Sequence, residues 1–239
     1  MFLKKNIIVV TGGNGRFAKS LKKVKSKYKF IYPPKKKLNI CSRSSIKTYL
    51  KKIRPSSVLH LAGLSRPMIK HEKDISKSIE LNIIGTSNIV SACSELKIKL
   101  IYFSTSYIYP GKKGNYKETD ALLPWNNYGW SKLGGECAVQ MYKNSLILRV
   151  CMTENPFVHK KAFSNVKLNF IFHKELAKIL VKILDRKGTI NLGGPTRTVY
   201  NFAKQHYPKV KKIRNRRYSK GNFPLNPSMN LSKLNNLIK

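Results

Sequence analysis

The chain has 239 residues, 41% of them hydrophobic, and carries 48 lysines and arginines against 10 acidic residues, a formal net charge of +38. This length and apolar content suffice for one buried core with a modest appendage. No apolar run approaches the roughly 18 to 20 residues that cross a bilayer, and the first residues lack a signal-peptide core, so we expect a soluble, cytoplasmic protein.

The four cysteines are widely spaced and form no CxxC pair, and the histidines show no spacing typical of ligands. We therefore expect reduced thiols, no disulfide framework and no metal site. The cysteines are Cys41, Cys93, Cys137 and Cys151.

The positive charge is the most unusual property of the composition. An excess of this size would normally indicate binding to nucleic acid or to an anionic surface. Here the basic residues occur in scattered groups, such as Lys35 to Lys37 and the stretch from Lys211 to Arg217, and several lie on predicted solvated helix faces. We favour a general lysine bias. Steering of anionic substrates is the next interpretation, and nucleic-acid binding is the least favoured.

Short β-rich runs alternate with longer runs of helical periodicity, which is typical of βαβ units. The sequence predicts an α/β fold with a Rossmann-type doubly wound parallel sheet over residues 1–150, and a small C-terminal substrate-binding lobe over 151–239 that partly returns to the sheet. The predicted strands are Asn6–Val10, Lys29–Tyr32, Ser57–Leu61, Leu100–Ser104, Ser145–Val150 and Thr189–Leu192. The predicted helices lie near Arg16–Lys25, Ser44–Ile53, Asp74–Ser94, Tyr128–Lys143 and Lys174–Asp185, with Ser44 and Asp74 as N-terminal caps. The basic stretch after His206 is expected to be loosely ordered.

The first predicted strand runs into a glycine-rich turn at which a helix begins. A dinucleotide pyrophosphate needs backbone N–H groups and the positive end of a helix close to it, and side chains would block that approach. A glycine cluster in this context predicts a cofactor site. Its residues are Gly12, Gly13, Asn14, Gly15, Arg16 and Phe17.

The end of the second predicted strand bears on the choice of cofactor. A carboxylate there would pair with the ribose 2′-hydroxyl of NAD, but this strand leads into Pro33 and Pro34 and then three lysines. Lys35, with Arg16 as a second contact, is a candidate to neutralise a 2′-phosphate. We therefore prefer NADP slightly over NAD.

Tyr128 and Lys132 are four residues apart, on one face of a predicted helix. A free phenol titrates near ~10, and a nearby ammonium brings it towards neutral pH, where it can exchange a proton with a sugar hydroxyl or ketone. This spacing alone is also compatible with a surface tyrosine beside one of many lysines.

Together with the glycine turn, this pattern resembles the extended short-chain dehydrogenase/reductase superfamily over most of the chain. His60–Gly63 looks like the segment that lines the cofactor cleft, Leu81–Asn88 like the central helix, and Phe103–Gly111 like the strand that delivers the catalytic hydroxyl. The resemblance implies cofactor contacts from Asn39, Leu61, Ala62, Gly63, Asn82, Tyr128 and Lys132. It also implies that Thr105 hydrogen-bonds the substrate oxygen.

Within the superfamily, the chain is most similar to the dTDP-4-dehydrorhamnose reductases and related sugar-nucleotide reductases. The similar segments are Ser104–Tyr107, Gly188–Tyr200 and Pro224–Leu234. Two features depart from that group, namely Ser106 where an Asp is usual and a shorter C-terminal half. The shorter half is compatible with a different sugar, with a partner subunit that completes the pocket, or with lost activity.

The resemblance implies reduction of a 4-keto sugar linked to a nucleotide, with Tyr128 as proton donor, Lys132 holding the ribose and Thr105 polarising the carbonyl. A sugar-nucleotide epimerase uses the same three residues and is the first alternative. A dehydratase is less favoured because Ser106 and Tyr107 replace an acidic pair, and a non-catalytic dinucleotide-binding protein is the remaining alternative. A homodimer is a candidate assembly. The predicted substrate contacts are Ser104, Ser106, Arg149, Asn155, His159 and Lys160.

Overall fold

Six parallel strands form the central sheet of the structure, a computed structural model that describes residues 3–215 and 223–239. The strands are β1 (Lys4–Thr11), β2 (Lys29–Ile31), β3 (Pro55–His60), β4 (Lys99–Thr105), β5 (Ser145–Val150) and β10 (Gly188–Leu192), numbered with the short strands given below. Their order is β10-β5-β4-β3-β1-β2. The chain steps from β1 to one side and then returns to the other side at β3, which opens a crevice at the carboxyl ends of these two strands.

Helices cover both faces of the sheet. Apolar residues of α1, α7 and α9 pack on one face, and those of α2, α5 and α6 pack on the other. This arrangement confirms the predicted doubly wound fold. The helices are α1 (Arg16–Leu21), α2 (Arg43–Ile53), α3 (Ile69–Lys73), α4 (Ile75–Ile79), α5 (Gly85–Glu95), α6 (Asn127–Gln140), α7 (His173–Ile183), α8 (Val199–His206) and α9 (Ser232–Ile238).

The predicted strands are all present, and β5 has the predicted bounds of Ser145–Val150. The predicted helix Asp74–Ser94 is divided, because a π-helical turn at Glu80–Ile84 separates α4 from α5. The predicted helix Arg16–Lys25 ends earlier, at Leu21.

One of the two predicted helix caps is confirmed. The Asp74 carboxylate accepts a hydrogen bond from the Lys77 N–H at 2.9 Å and caps α4. The prediction of Ser44 was wrong, because the Ser42 hydroxyl caps α2 by accepting from the Ser45 N–H at 3.2 Å. Ser42 is the residue with extended backbone next to the first turn, as the capping geometry requires.

A second apolar core lies beyond the carboxyl ends of the strands. Aromatic residues dominate it, among them Phe157, Phe172 and Phe202, and Tyr109 and Tyr116 join it from the segment before β5. Its short strands pair as β6 with β9, β7 with β12 and β8 with β11. They are β6 (Met152–Thr153), β7 (Lys161–Phe163), β8 (Lys167–Leu168), β9 (Ile171–Phe172), β11 (Arg197–Thr198) and β12 (Lys211–Ile213).

The segment after His206 is more regular than expected, because residues of β12 pair in parallel with β7. Arg216 and Arg217, which belong to the same basic stretch, lie outside the described residues. The division of the chain at residue 150 stays a prediction. The segment after it contributes α7 and β10 to the sheet and its core as well as most of the second core.

Within residues 3–215 and 223–239, none of the helices combines the length and the apolar character that a membrane span requires.

Candidate active site

The glycine turn after β1 fits closely against the segment after β3. Gly12 has a φ of +70°, and a Cβ added there would lie 2.7 Å from the Ala62 nitrogen. The Thr11 hydroxyl oxygen accepts hydrogen bonds from the N–H groups of Leu61 at 3.2 Å and Ala62 at 3.1 Å. Position 12 therefore requires glycine, and the backbone there lies directly against the backbone at Ala62.

This geometry fits the dinucleotide that the sequence predicts. No side chain caps the start of α1, where Gly15 is the N-terminal cap, so backbone N–H groups stay available at the crevice. Lys35 and Asn39 line the same space. The residues that could hold a dinucleotide are therefore backbone groups of the turn together with these two side chains.

One continuous cavity of about 960 Å³ extends from the glycine turn to the second core. Its volume lies in the range of small-molecule sites. Most of the predicted site residues line it, namely Gly12, Gly13, Asn14, Gly15, Arg16, Phe17, Lys35, Asn39, Leu61, Ala62, Gly63, Ser104, Thr105, Ser106, Tyr128, Lys132 and His159. Asn82, Arg149, Asn155 and Lys160 are not among its lining residues.

Tyr128 occupies the first turn of α6, and its ring lies between those of His71 and Tyr107, at centroid distances of 5.1 and 5.6 Å. Burial raises the pKa of Tyr128, while the nearby Thr105 side chain and the charge of Arg66 lower it. The phenol is therefore protonated at neutral pH and lies near the Thr105 hydroxyl at the end of β4.

Lys132 lies one turn further along α6 and is 8% exposed. Its ammonium is 4.2 Å from the centroid of the Tyr102 ring, a cation–π contact. Burial lowers the pKa of Lys132 to about 7, and Glu136 acts in the opposite direction. We expected Lys132 to provide the charge that lowers the pKa of Tyr128, but Arg66 provides it in this geometry.

Arg149 lies away from the cavity surface, so this geometry does not support the predicted substrate contact. Its side chain is 3% exposed, and its Nε and Nη2 donate to Glu136 Oε1 at 3.0 and 2.7 Å. Its Nη1 donates to the Tyr109 hydroxyl at 2.8 Å and to the Glu118 carbonyl at 2.9 Å. These partners engage every nitrogen of the guanidinium, so Arg149 connects β5 to α6 and to the segment before α6.

Asn82 also acts away from the cavity surface, in the π-helical turn. Its side-chain oxygen accepts from the Leu64 N–H at 2.7 Å, and its amide nitrogen donates to the Leu64 carbonyl and to the Ser131 hydroxyl, both at 2.9 Å. The geometry therefore does not support the predicted direct contact of Asn82 with the cofactor. Asn82 instead fixes the segment after β3 relative to α6.

The remaining predicted substrate residues divide into two groups, and His159 belongs with Ser104 and Ser106 to the group that lines the cavity. Ser104 and Ser106 line the cavity, and their buried hydroxyl oxygens have no hydrogen-bond partner within the described part of the chain. Asn155 and Lys160 lie on the loop after β6, outside the lining residues.

Several lining residues were not predicted from the sequence. Tyr107, Arg66, Phe157 and Phe223 line the cavity. Arg66 and Arg16 each make an ion pair with Glu154, at 3.1 Å. The sequence offered one usable signal, since Tyr107 follows the predicted Thr105 by two residues. The other three come from segments whose folding onto the cavity is not encoded by a local pattern.

Two curated relatives illustrate the range of similar proteins. A dTDP-4-dehydrorhamnose reductase of Aggregatibacter actinomycetemcomitans is 26% identical over 196 residues, which cover 79% of this chain and 62% of the relative. A methionine adenosyltransferase 2 subunit beta of Xenopus laevis is 31% identical over 114 residues, or 47% of this chain and 34% of the relative. The chain thus spans less than two thirds of the length of either protein.

Solved structures share the fold. A dTDP-4-dehydrorhamnose reductase from Bacillus anthracis in complex with NADP has a TM-score of 0.85 at 21% identity, with 98% of this chain and 92% of that chain covered. A UDP-glucose 4-epimerase of Thermus thermophilus in complex with NAD has a TM-score of 0.75 at 16% identity, with 96% and 92% covered.

The model of the family described as "RmlD substrate binding domain" matches residues 5–181. The matched range contains the glycine turn, Thr105, Tyr128 and Lys132, and it agrees with the resemblance to dTDP-4-dehydrorhamnose reductases seen in the sequence. The chain belongs to the RmlD substrate-binding domain family.

Proposed function

We propose that the protein is an NAD(P)-dependent reductase of a 4-keto sugar linked to a nucleotide. One observation carries this proposal. The hydroxyls of Thr105 and Tyr128 and the ammonium of Lys132 line the same cavity as the glycine turn. A protein that only bound a dinucleotide would not need a half-buried tyrosine close to a threonine hydroxyl and a lysine at this place.

The chemistry assigned to the side chains follows from their surroundings. When bound, the dinucleotide supplies the hydride for the carbonyl carbon. The Tyr128 hydroxyl, kept protonated because burial raises its pKa, gives its proton to the carbonyl oxygen. Thr105 orients that oxygen, and Lys132 binds the ribose of the dinucleotide. The name of the bacterial relative, dTDP-4-dehydrorhamnose reductase, supports a nucleotide-linked 4-keto sugar as the substrate class.

The test is a turnover assay with purified protein, NADPH or NADH, and a panel of nucleotide-linked 4-keto sugars. We expect oxidation of the reduced dinucleotide, and a loss of about 10²- to 10⁴-fold in kcat for Tyr128→Phe, since the general acid is removed. Dinucleotide affinity should fall far less than kcat in this variant, since Phe keeps the ring and the glycine turn is unaltered. The ratio of the affinities for NADPH and NADH, measured in wild type and in Lys35→Ala, tests the preference for NADP.

Two other outcomes identify different functions. Retained dinucleotide binding without net oxidation, but with inversion of a sugar carbon, would replace the reductase with an epimerase. Binding without any sugar conversion would favour a non-catalytic subunit. The Xenopus relative, which carries the name of a subunit, and Ser106 in place of the usual acid support this second candidate.

A further inference from the structure

A buried carboxylate lies one helical turn beyond Lys132 on α6. Glu136 follows Lys132 by four residues, so the two side chains lie on the same face of the helix. Glu136 is 1% exposed and does not line the cavity. Glu136 therefore cannot contact a dinucleotide or a sugar bound in the cavity. It can act on the site only through neighbouring residues.

Only one of the two carboxylate oxygens of Glu136 takes part in its ion pair with Arg149. Both hydrogen bonds from Arg149 go to Oε1, at 3.0 and 2.7 Å. Oε2 is buried and has no hydrogen-bond partner within residues 3–215 and 223–239. Arg149 in contrast also donates to Tyr109 and to the Glu118 carbonyl. A buried carboxylate oxygen without a donor can still act electrostatically on another nearby cation.

Among the described residues, Lys132 is the nearby cation that lacks an ion-pair partner of its own. Its ammonium contacts the face of the Tyr102 ring, and the Tyr102 hydroxyl donates to the Lys132 carbonyl at 3.0 Å. Burial favours the neutral amine and lowers the pKa of Lys132 to about 7, and Glu136 is the group that raises it.

The other titratable groups around Lys132 in the described part of the chain do not supply negative charge. They are Tyr102 on β4, His60 on β3, His71 on α3 and Tyr128 on α6. Burial raises the pKa of both tyrosines. The pKa of His60 is lowered to about 3 by burial and by Lys132, and the pKa of His71 is lowered mainly by burial. These side chains are therefore neutral near neutral pH.

We propose that Glu136, held in place by Arg149, is a positioning residue that keeps the ammonium of Lys132 charged in the buried site. The inference rests on the proposed function, in which charged Lys132 binds the dinucleotide. Glu136 would then set the pH at which Lys132 loses its charge. Above that pH the dinucleotide would be bound less tightly.

The experiment measures NADPH affinity against pH by the fluorescence of the bound dinucleotide. In wild type we expect the affinity to fall as the pH rises through about 7, where Lys132 loses its charge. In Glu136→Gln the midpoint should move down by about one pH unit, because an opposite charge at this range changes a pKa by roughly 1–3. Glu136→Asp, which keeps the charge, should restore the midpoint towards wild type.

Two further variants control for folding and for net charge. Glu136→Gln leaves Arg149 buried without its ion pair, which is costly, so Glu136→Gln/Arg149→Met removes both charges and tests the same effect. Glu175→Gln changes net charge equally at the start of α7, where Glu175 accepts from the Phe172 N–H, and should leave the midpoint unchanged.

The inference is overturned by a wild-type profile without a midpoint, or by one that neither Glu136→Gln nor the double variant moves. The binding profile needs no sugar substrate. A shifted midpoint in a protein without turnover supports the inference and removes the reductase proposal, whereas turnover with an unmoved midpoint removes only the inference.

Discussion

The cavity has two walls that are built in different ways. The sheet wall consists of residues 12–18 and 61–63, which follow two adjacent strands and meet through backbone contacts. The lobe wall consists of Phe157, Phe163, Phe170 and Phe223, which come from distant parts of the chain and pack through aromatic rings. Backbone geometry therefore fixes the end of the cavity at the glycine turn, while side-chain packing fixes the end at the second core. A substitution in one wall should therefore leave the structure of the other wall unchanged.

The largest effect is expected from a change behind the lobe wall. Phe202 packs against Phe170 and Phe172, with ring centroids 5.6 and 5.0 Å apart. Phe202→Ala should lower the free energy of unfolding by about 3–5 kcal/mol, the usual cost of truncating a buried aromatic residue. Denaturant unfolding measures this loss of stability. Titration with NADPH, under conditions in which the variant is folded, measures whether the dinucleotide affinity is kept. Loss of NADPH affinity in the folded variant would contradict the independence of the walls.

A change in the sheet wall should have the opposite pattern. Gly12→Ala places a Cβ 2.7 Å from the Ala62 nitrogen, where backbone on both sides cannot move easily. We expect NADPH affinity to fall by about 100-fold, or about 2.7 kcal/mol, because the turn must shift to relieve the contact. The lobe should keep its packing, as monitored by near-ultraviolet circular dichroism.

Gly188 offers a matched control for this substitution. It also has a positive φ, of +82°, but an added Cβ meets no atom within 4 Å. Gly188→Ala should cost about 1–2 kcal/mol of stability from backbone strain and leave NADPH affinity unchanged. Equal losses of affinity in both variants would show that strain, rather than the close approach to Ala62, is the cause.

The smallest effect is expected at Lys132 on α6, which belongs to neither wall but lines the same cavity. Its folded pKa of about 7 lies below the value of about 10.4 in an unfolded chain, so the folded state binds fewer protons between these limits. The contribution of Lys132 to stability therefore rises with pH across this window, and its full cost is present below about pH 7. Lys132→Met removes the cost of burying the charged ammonium. It also removes the cation–π contact with Tyr102.

We therefore expect the Tm of Lys132→Met to exceed that of wild type by about 2–4 °C near pH 6, corresponding to about 1 kcal/mol in a chain of this size. The difference should shrink towards pH 10. Thermal scans at several pH values measure it, and a difference independent of pH would contradict the lowered pKa. Replacement of the exposed Lys178 by Met is the matched control, which should show no such trend.

The sheet wall and the lobe wall also differ in how many of their residues could be predicted from the sequence. The glycine turn, Thr105, Tyr128 and Lys132 could be predicted because each lies at the end of a strand or on a helix face with a recognisable local pattern. Arg149 was predicted as a substrate contact because it lies near the carboxyl end of a buried strand, but Glu136, Tyr109 and the Glu118 carbonyl hold its side chain. Only the fold brings Glu136 within reach of its guanidinium.

The lobe wall was less accessible to sequence reasoning for a physical reason. Phe157 and Phe223 lie in segments without helical or strand periodicity, and their packing depends on the short strands that pair across the second core. The π-helical turn at Glu80–Ile84 was missed similarly, since it interrupts an apolar pattern that remains helical on both sides.

The second core has a consequence for attempts to exchange parts between family members. The Tyr116 N–H donates to the Ser228 carbonyl at 3.0 Å, and the Asn230 N–H donates to the Tyr116 carbonyl at 2.8 Å. A segment before β5 is thus bonded to one near the end of the chain. A chimera joined at residue 150 would place the two partners of these bonds in different parents, so an exchange of the second core requires moving both segments together.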